Sequence, residues 1–188
     1  MSDQPIPLSS QDITEKEIDA VVAVMRSDRL SLGPEVQAFE AALATRAGRK
    51  YAVAVNSGTS ALHLCIKGLG IGPGDEVITT PFSFVATTNC ILFEGATPVL
   101  VDIDPASYNM DPAAIEAAIT PRTKAILPVE VFGNPAHFDA YEAIAAKHGL
   151  YLIEDSCEAL GAQLDGRPAG SFGDCGVFAF YPNKQITT

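Results

Sequence analysis

From Tyr51 onward, short apolar runs alternate with helical segments, and this alternation constrains the fold more than any other feature of the chain. Strands are expected at Tyr51–Val55, Glu76–Thr79, Pro98–Ile103, Ala125–Val131, Leu150–Glu154 and Gly176–Phe180. Helices are expected between them at Ser60–Leu69, Val85–Phe93, Pro112–Ile119 and Phe138–His148. Asp111-Pro112 starts one of these helices and His148-Gly149 stops another, because proline suits a first helical turn and glycine the residue after a last one. Strands separated by helices need crossover connections. The expected fold is therefore α/β, a mostly parallel sheet with helices on both faces. Ligands of such sheets bind beyond the carboxyl ends of the strands, so chemistry is sought there.

Upstream, Thr14-Glu15-Lys16-Glu17 has capping-box spacing ahead of Ile18, Val21, Val22 and Met25, which predicts an amphipathic helix to about Arg26. Leu30-Ser31-Leu32-Gly33-Pro34 reads as a loop, and Val36, Phe39, Ala42 and Leu43 mark a second helical face. No internal repeat or low-complexity linker interrupts the 188 residues, which suffice for one domain with a substantial core. The net charge of −11 argues against nucleic acid or an anionic membrane as main partner, since neither attracts an acidic surface. A phosphorylated small ligand stays open, because helix N-terminal amides bind anions locally. Cys65, Cys90, Cys157 and Cys175 lack metal-type spacing and sit in apolar stretches, so buried free thiols in a reducing compartment are expected. Met1-Ser2-Asp3-Gln4-Pro5 shows no secretory pattern, and no apolar stretch is long enough to span a membrane; a soluble cytoplasmic protein is the expectation.

Three features follow strand ends. Asn56-Ser57-Gly58-Thr59-Ser60 precedes a helix, where small residues let amides and hydroxyls close around an anion. An ordinary capped helix explains it as well, and it is neither a Walker A loop nor GxGxxG. Asp155 ends the run Leu150–Glu154. A carboxylate there needs a positive or hydrogen-bonding partner: a protonated pyridine nitrogen is one, and the amides of a following turn are another. Glu154 alternates to the opposite face. Lys184 leaves an apolar strand through a proline turn, whereas Lys16, Lys50, Lys67, Lys124 and Lys147 lie on helices or at strand starts. An amine with little solvation can form a Schiff base with a carbonyl or with pyridoxal phosphate, although a lone lysine is more often a surface charge. His63, His137 and His148 are scattered, so no metal site is expected, and Ser57 and Ser60 lack a nucleophile elbow.

Together these segments resemble the N-terminal portion of the DegT/DnrJ/EryC1/StrS sugar aminotransferases, pyridoxal-phosphate enzymes of the aspartate-aminotransferase fold. The resemblance runs from Ile6-Pro7-Leu8 to the last residue. It rests on Leu30–Pro34, Asn56–Leu64, Pro81–Thr87, Ile153–Ala162 and Phe178–Lys184, five motifs in order. It implies that Lys184 holds the cofactor covalently and then moves the proton of the reaction. It implies that Asp155 pairs with the ring nitrogen, that Gly58 and Thr59 hold the phosphate, and that Phe84 stacks on the ring. Glu158 stands where many members carry glutamine near the ring hydroxyl, and Ala179 where many carry a phosphate-binding serine. Some relatives have histidine in place of the lysine and perform dehydration, so lysine here favours transamination.

The resemblance further implies transfer of an amino group from an amino acid, glutamate above all, to a keto group of a nucleotide-linked deoxy sugar, in a homodimer. It divides the chain into residues 1–35, an N-terminal helix and substrate-side loop, and residues 36–188, a pyridoxal-phosphate-binding large domain. Members continue well past the lysine, through a glycine-rich loop and a small C-terminal domain. A truncated, inactive cofactor-binding fragment or interaction remnant of such an enzyme is therefore the alternative reading, and uncovered apolar faces are expected with it.

Overall fold

A computed structural model describes residue 7 and residues 10–187. Met1–Ile6, Leu8, Ser9 and Thr188 lie outside the described residues, and with them the N-terminal stretch read above and the start of the family-like segment.

The chain builds α1 (Glu15–Met25), α2 (Pro34–Arg46), α3 (Gly58–Gly68), β1 (Glu76–Thr79), α4 (Ala86–Phe93), β2 (Thr97–Leu100) and α5 (Pro112–Ala118). Then follow β3 (Thr123–Ile126), a 3-10 turn at Val131–Gly133, α6 (Phe138–His148), β4 (Tyr151–Asp155), β5 (Gln163–Leu164), β6 (Arg167–Pro168) and β7 (Cys175–Val177). Five strands form one sheet in the order β2-β1-β3-β4-β7, and every pairing in it is parallel. The strand direction of travel reverses between β2 and β3, which places a switch point at the C-terminal ends of β1 and β3.

Alternation along the strands explains the two layers. Val77, Ala125, Leu127, Ile153 and Val177 face α3 and α4 through Leu62, Ile66, Cys90 and Ile91. Ile78, Ile126 and Leu152 face α5 and α6 through Ile115, Phe138, Tyr141 and Ile144. Helices thus cover both faces, as the strand–helix alternation predicts. Each fully buried Leu, Ile or Phe contributes about 1.5–3 kcal/mol, so these two clusters carry the fold.

Local signals work where chemistry is local. Thr14 and Glu17 form the capping box of α1, with the Thr14 amide donating to Glu17 Oε2 at 2.7 Å. Asp111 caps α5 by accepting from the Ala113 amide, and Gly149 ends α6 at φ 65°. α1 nonetheless buries none of its side chains: Val21 is 60% and Met25 70% exposed, so its apolar face is uncovered.

The expected strand at Tyr51–Val55 is a correction. The segment has no ladder, and the Ala54 amide donates to Glu40 Oε1 at 2.8 Å instead. A strand needs a neighbour, and between this segment and β7 lies a groove of about 640 Å³. The expected burial of all four cysteines is also corrected. Only Cys90 is buried, its thiol pushed up to about 12 by burial, while the other three are half-buried and free.

Glu130 is fully buried with neither carboxylate oxygen hydrogen-bonded, beside a Ser156 hydroxyl in the same condition. Burial pushes its carboxyl up to about 8 against a smaller lowering influence of the adjacent Ser156 hydroxyl, and the nearby Glu154 and Asp155 act in the same sense as burial. The folded protein therefore keeps a proton that the unfolded chain releases. The stability this confers is complete below about pH 4.5 and is lost as the pH rises toward 8. Urea unfolding should show a midpoint that falls across this window. Glu130→Gln should flatten the fall and exceed the wild type at pH 8.5 by a few kcal/mol, on the order of the linkage expected for such a shift. Parallel pH curves for the two proteins would refute this role.

Candidate functional site

A cavity of about 820 Å³ opens at the C-terminal ends of the strands. Gly58, Thr59, Phe84, Asp155, Glu158 and Lys184 all line it, so the fold brings together every residue nominated from the sequence. They come from five separate segments: the start of α3, the loop before α4, the end of β4, the turn after it, and the chain leaving β7.

One end of the cavity is the first turn of α3. The Ser57 hydroxyl accepts from the Ser60 amide at 3.1 Å, which is an ordinary N-cap. That cap serves one amide only, and helix geometry leaves those of Gly58 and Thr59 without intrahelical acceptors. The capped helix is thus observed, and the cap leaves two amides of the first turn that an anion could use. Space at Gly58 is tight, since a Cβ there would lie 3.1 Å from Ala179 Cβ and 3.3 Å from Cys157 Sγ.

At the other end, Asp155 is 4% exposed. Its Oδ2 accepts from Thr87 Oγ1 at 2.7 Å and its Oδ1 from the Cys157 amide at 3.3 Å. No cation pairs with it among the described residues, which suits a carboxylate awaiting a positively charged group. Burial and the adjacent Asp155 charge together raise the Cys157 thiol far above its ordinary range, so that thiol is inert. Glu154 points the other way, as the alternation predicts. Its carboxylate meets Arg49 at 3.1 Å and the amides of Gly170 and Gly173 at 2.8 and 2.7 Å.

Lys184 is held by a turn in which its amide donates to the Tyr181 carbonyl at 2.8 Å. Phe180, just upstream, packs edge-on against Phe39 of α2 with ring centroids 5.0 Å apart, which fixes the exit from β7. The Lys184 amine donates to Glu158 Oε1 at 3.1 Å, and Glu158 Oε2 accepts from the Phe132 amide at 3.0 Å. Phe84 is 76% exposed and presents a free aromatic face to the cavity.

A phosphate could rest on α3, a flat ring against Phe84, a ring nitrogen at Asp155 and an aldehyde at Lys184; the donor set fits pyridoxal phosphate. Sequence reading missed Thr87 and Ser83, whose hydroxyls lie at a helix start and read there as caps. It also missed the cluster of Ser107, His137 and Asp104. His137 Nε2 faces both Ser107 Oγ and Asp104 Oδ2 at 3.1 Å, so a single ring nitrogen serves both partners. A nucleophilic triad needs both nitrogens, and this cluster is a loop staple; the Ala106 amide first, then His137 and Ser107, hold the Asp104 carboxyl down at about 2. Among the described residues, no group of three or more His, Cys, Asp or Glu is placed to hold a metal ion, and no helix is long and apolar enough to cross a membrane.

Comparison with known proteins gives this geometry a context. The profile of the DegT/DnrJ/EryC1/StrS aminotransferase family matches residues 11–188. The spore coat polysaccharide biosynthesis protein SpsC of Bacillus subtilis is 48% identical, over 97% of this chain and 47% of its own length. The GDP-perosamine synthase of Caulobacter vibrioides is 46% identical, over 100% of this chain and 51% of its own. Among solved structures, the PLP-form of the putative sugar aminotransferase Spr1654 from Streptococcus pneumoniae superposes with a TM-score of 0.93 at 36% identity, covering 97% of this chain and 50% of that one. The chain spans about half the length of the relatives it matches. A profile match over nearly all of the chain, a parallel sheet in common and high identity at full coverage lead to one statement: this chain belongs to the DegT/DnrJ/EryC1/StrS aminotransferase family.

Proposed function

We propose that this protein takes part in amino transfer, with pyridoxal phosphate, from an amino acid, glutamate, to a keto group of a nucleotide-linked deoxy sugar. The observation that carries this reading is the convergence of Lys184, Asp155 and the first turn of α3 on one cavity. When bound, pyridoxal phosphate supplies a ring that accepts electrons as a proton leaves the amine-bearing carbon. Gly58 and Thr59 would hold its phosphate through their amides, and Phe84 would cover one face and exclude water. Asp155, acceptor-only when ionised, would take the hydrogen bond of the ring nitrogen. Lys184 would bind the aldehyde carbon through Nζ, then yield that position to the donor's amine and carry the proton. Glu158 would receive the Lys184 ammonium while it is free, as it does at 3.1 Å here.

The two-part division is proposed on the same footing. Residues 1–35, with their uncovered helix and loop, would serve the substrate side, and residues 36–188 the cofactor. A homodimer would cover the apolar face of α1. The alternative is a chain that binds the cofactor but transfers no amine alone, or an interaction remnant of such an enzyme.

The test uses the purified chain and pyridoxal phosphate. A visible absorbance band is expected, and borohydride should fix the label at Lys184 on peptide mass analysis. Glutamate should then release 2-oxoglutarate matching the bound cofactor. Folded protein without label at Lys184 overturns the reading. Label without 2-oxoglutarate decides for the alternative.

A further inference from the structure

Thr87 lies in the first turn of α4 and is fully buried. A threonine there commonly bonds its own helix, but this hydroxyl reaches across to the end of β4. Thr87 Oγ1 stands 2.7 Å from Asp155 Oδ2 and 2.7 Å from Ser83 Oγ, and Ser83 lines the cavity that Asp155 faces. Proton counting fixes the direction of this chain. An ionised carboxylate only accepts, so the single Thr87 proton points at Asp155. The Thr87 oxygen must then accept the Ser83 proton. Two hydroxyls in series, each polarised by the next, run from half-buried Ser83 through fully buried Thr87 to one carboxylate oxygen.

The other oxygen of Asp155 is held by the Cys157 amide at 3.3 Å. The carboxylate is thus gripped from the protein side at both oxygens, which fixes its plane relative to the cavity.

We infer that Thr87, oriented by Ser83, is the positioning residue of Asp155. The inference rests on the proposed reading that Asp155 meets the ring nitrogen of pyridoxal phosphate. Without the Thr87 hydroxyl, Asp155 keeps only the Cys157 amide and turns toward it, away from the ring.

Pyridoxal phosphate affinity and the position of the visible band test this in Thr87→Val, Thr87→Ser, Asp155→Asn and the double variant Thr87→Val/Asp155→Asn. Thr87→Val keeps the shape and removes the proton; it should bind about tenfold more weakly, the worth of one hydrogen bond to a charged group, with a displaced band. Thr87→Ser should restore both. In the Asp155→Asn background, Thr87→Val should add no further loss, since its effect runs through the carboxylate. Wild-type affinity and band in Thr87→Val overturn the inference, as does an equal loss in the Asp155→Asn background. Should Thr87→Val fail to fold, Ser83→Ala leaves Thr87 in place and should weaken binding about twofold to threefold, with the band displaced the same way; no change overturns the inference. Wild-type protein that takes up no pyridoxal phosphate sinks this inference together with the proposed function. Tight binding that Asp155→Asn leaves intact removes Asp155 from the ring and the inference with it, but not Lys184.

Discussion

The Lys184→Ala variant is expected to lose all borohydride-fixed pyridoxal phosphate while keeping the fold. The chemical loss is complete because Lys184 is the one lysine among the residues lining the cavity. Of the other lysines, Lys67 pairs with Glu94, Lys147 with Glu116, and Lys50 lies over the Tyr51 ring, while Lys16 and Lys124 lie away from the cavity lining. The structural loss is small because the Lys184–Glu158 pair is partly exposed, at 16% and 39% of the two side chains, and such pairs are worth about 0–1 kcal/mol. Glu158 also keeps its bond to the Phe132 amide when the lysine is gone. Intact mass after reduction reads the first effect, and a urea curve at matched pH the second. A single label retained by the variant would show that another lysine carries the cofactor and would end the assignment of Lys184. The same variant should still bind pyridoxal phosphate noncovalently, since the first turn of α3, Phe84 and Asp155 are untouched.

That contrast also marks what the sequence made legible. Helix ends were readable at Thr14, Asp111 and Gly149, where the cap is a local hydrogen bond or a local backbone conformation. The strands that failed or shortened did so for non-local reasons. Tyr51–Val55 has the apolar content of a strand, but pairing requires a neighbour that sequence pattern does not supply. One element was missed although its signal is local: Asp165-Gly166, both at positive φ, makes the two-residue turn joining β5 and β6, and Asp-Gly is a strong hairpin signal. In the site, Asp155 could be found because a carboxylate at the mouth of a buried strand needs a partner. Thr87 could not, because its partner lies 68 residues away in sequence. Glu130 sat inside an expected strand, and nothing short of the packed core shows that its carboxyl has no hydrogen bond.

A larger loss of stability is expected from Gly173→Ala, a change that touches no residue of the cavity. Gly173 precedes β7 and lies against β4. A Cβ at this position would sit 2.2 Å from the Leu152 carbonyl oxygen and 2.8 Å from its carbon, both backbone atoms of a central strand. No rotamer relieves such a contact; the two segments must separate. Separation breaks the bond from the Asp174 amide to the Leu152 carbonyl, 2.7 Å long, and that from the Leu152 amide to Asp174 Oδ2, 2.9 Å long. It also withdraws the Gly173 amide from buried Glu154 and the Gly173 carbonyl from Arg49. Overpacking alone costs about 1–3 kcal/mol, and uncovering a buried charge about 3–5 kcal/mol, against a total stability on the order of 5–15 kcal/mol. Gly173→Ala should therefore unfold at markedly lower urea or accumulate as insoluble chain. Gly68→Ala is the matched control, because a Cβ there meets nothing within 4 Å and alanine favours a helix by about 0.5–1 kcal/mol. Equal urea midpoints for the two variants would mean that the β4–β7 contact is looser than its geometry. The register at stake sets Asp155 opposite Val177 and delivers the chain that leads to Lys184, so the two residues of the proposed chemistry depend on a position where no side chain fits.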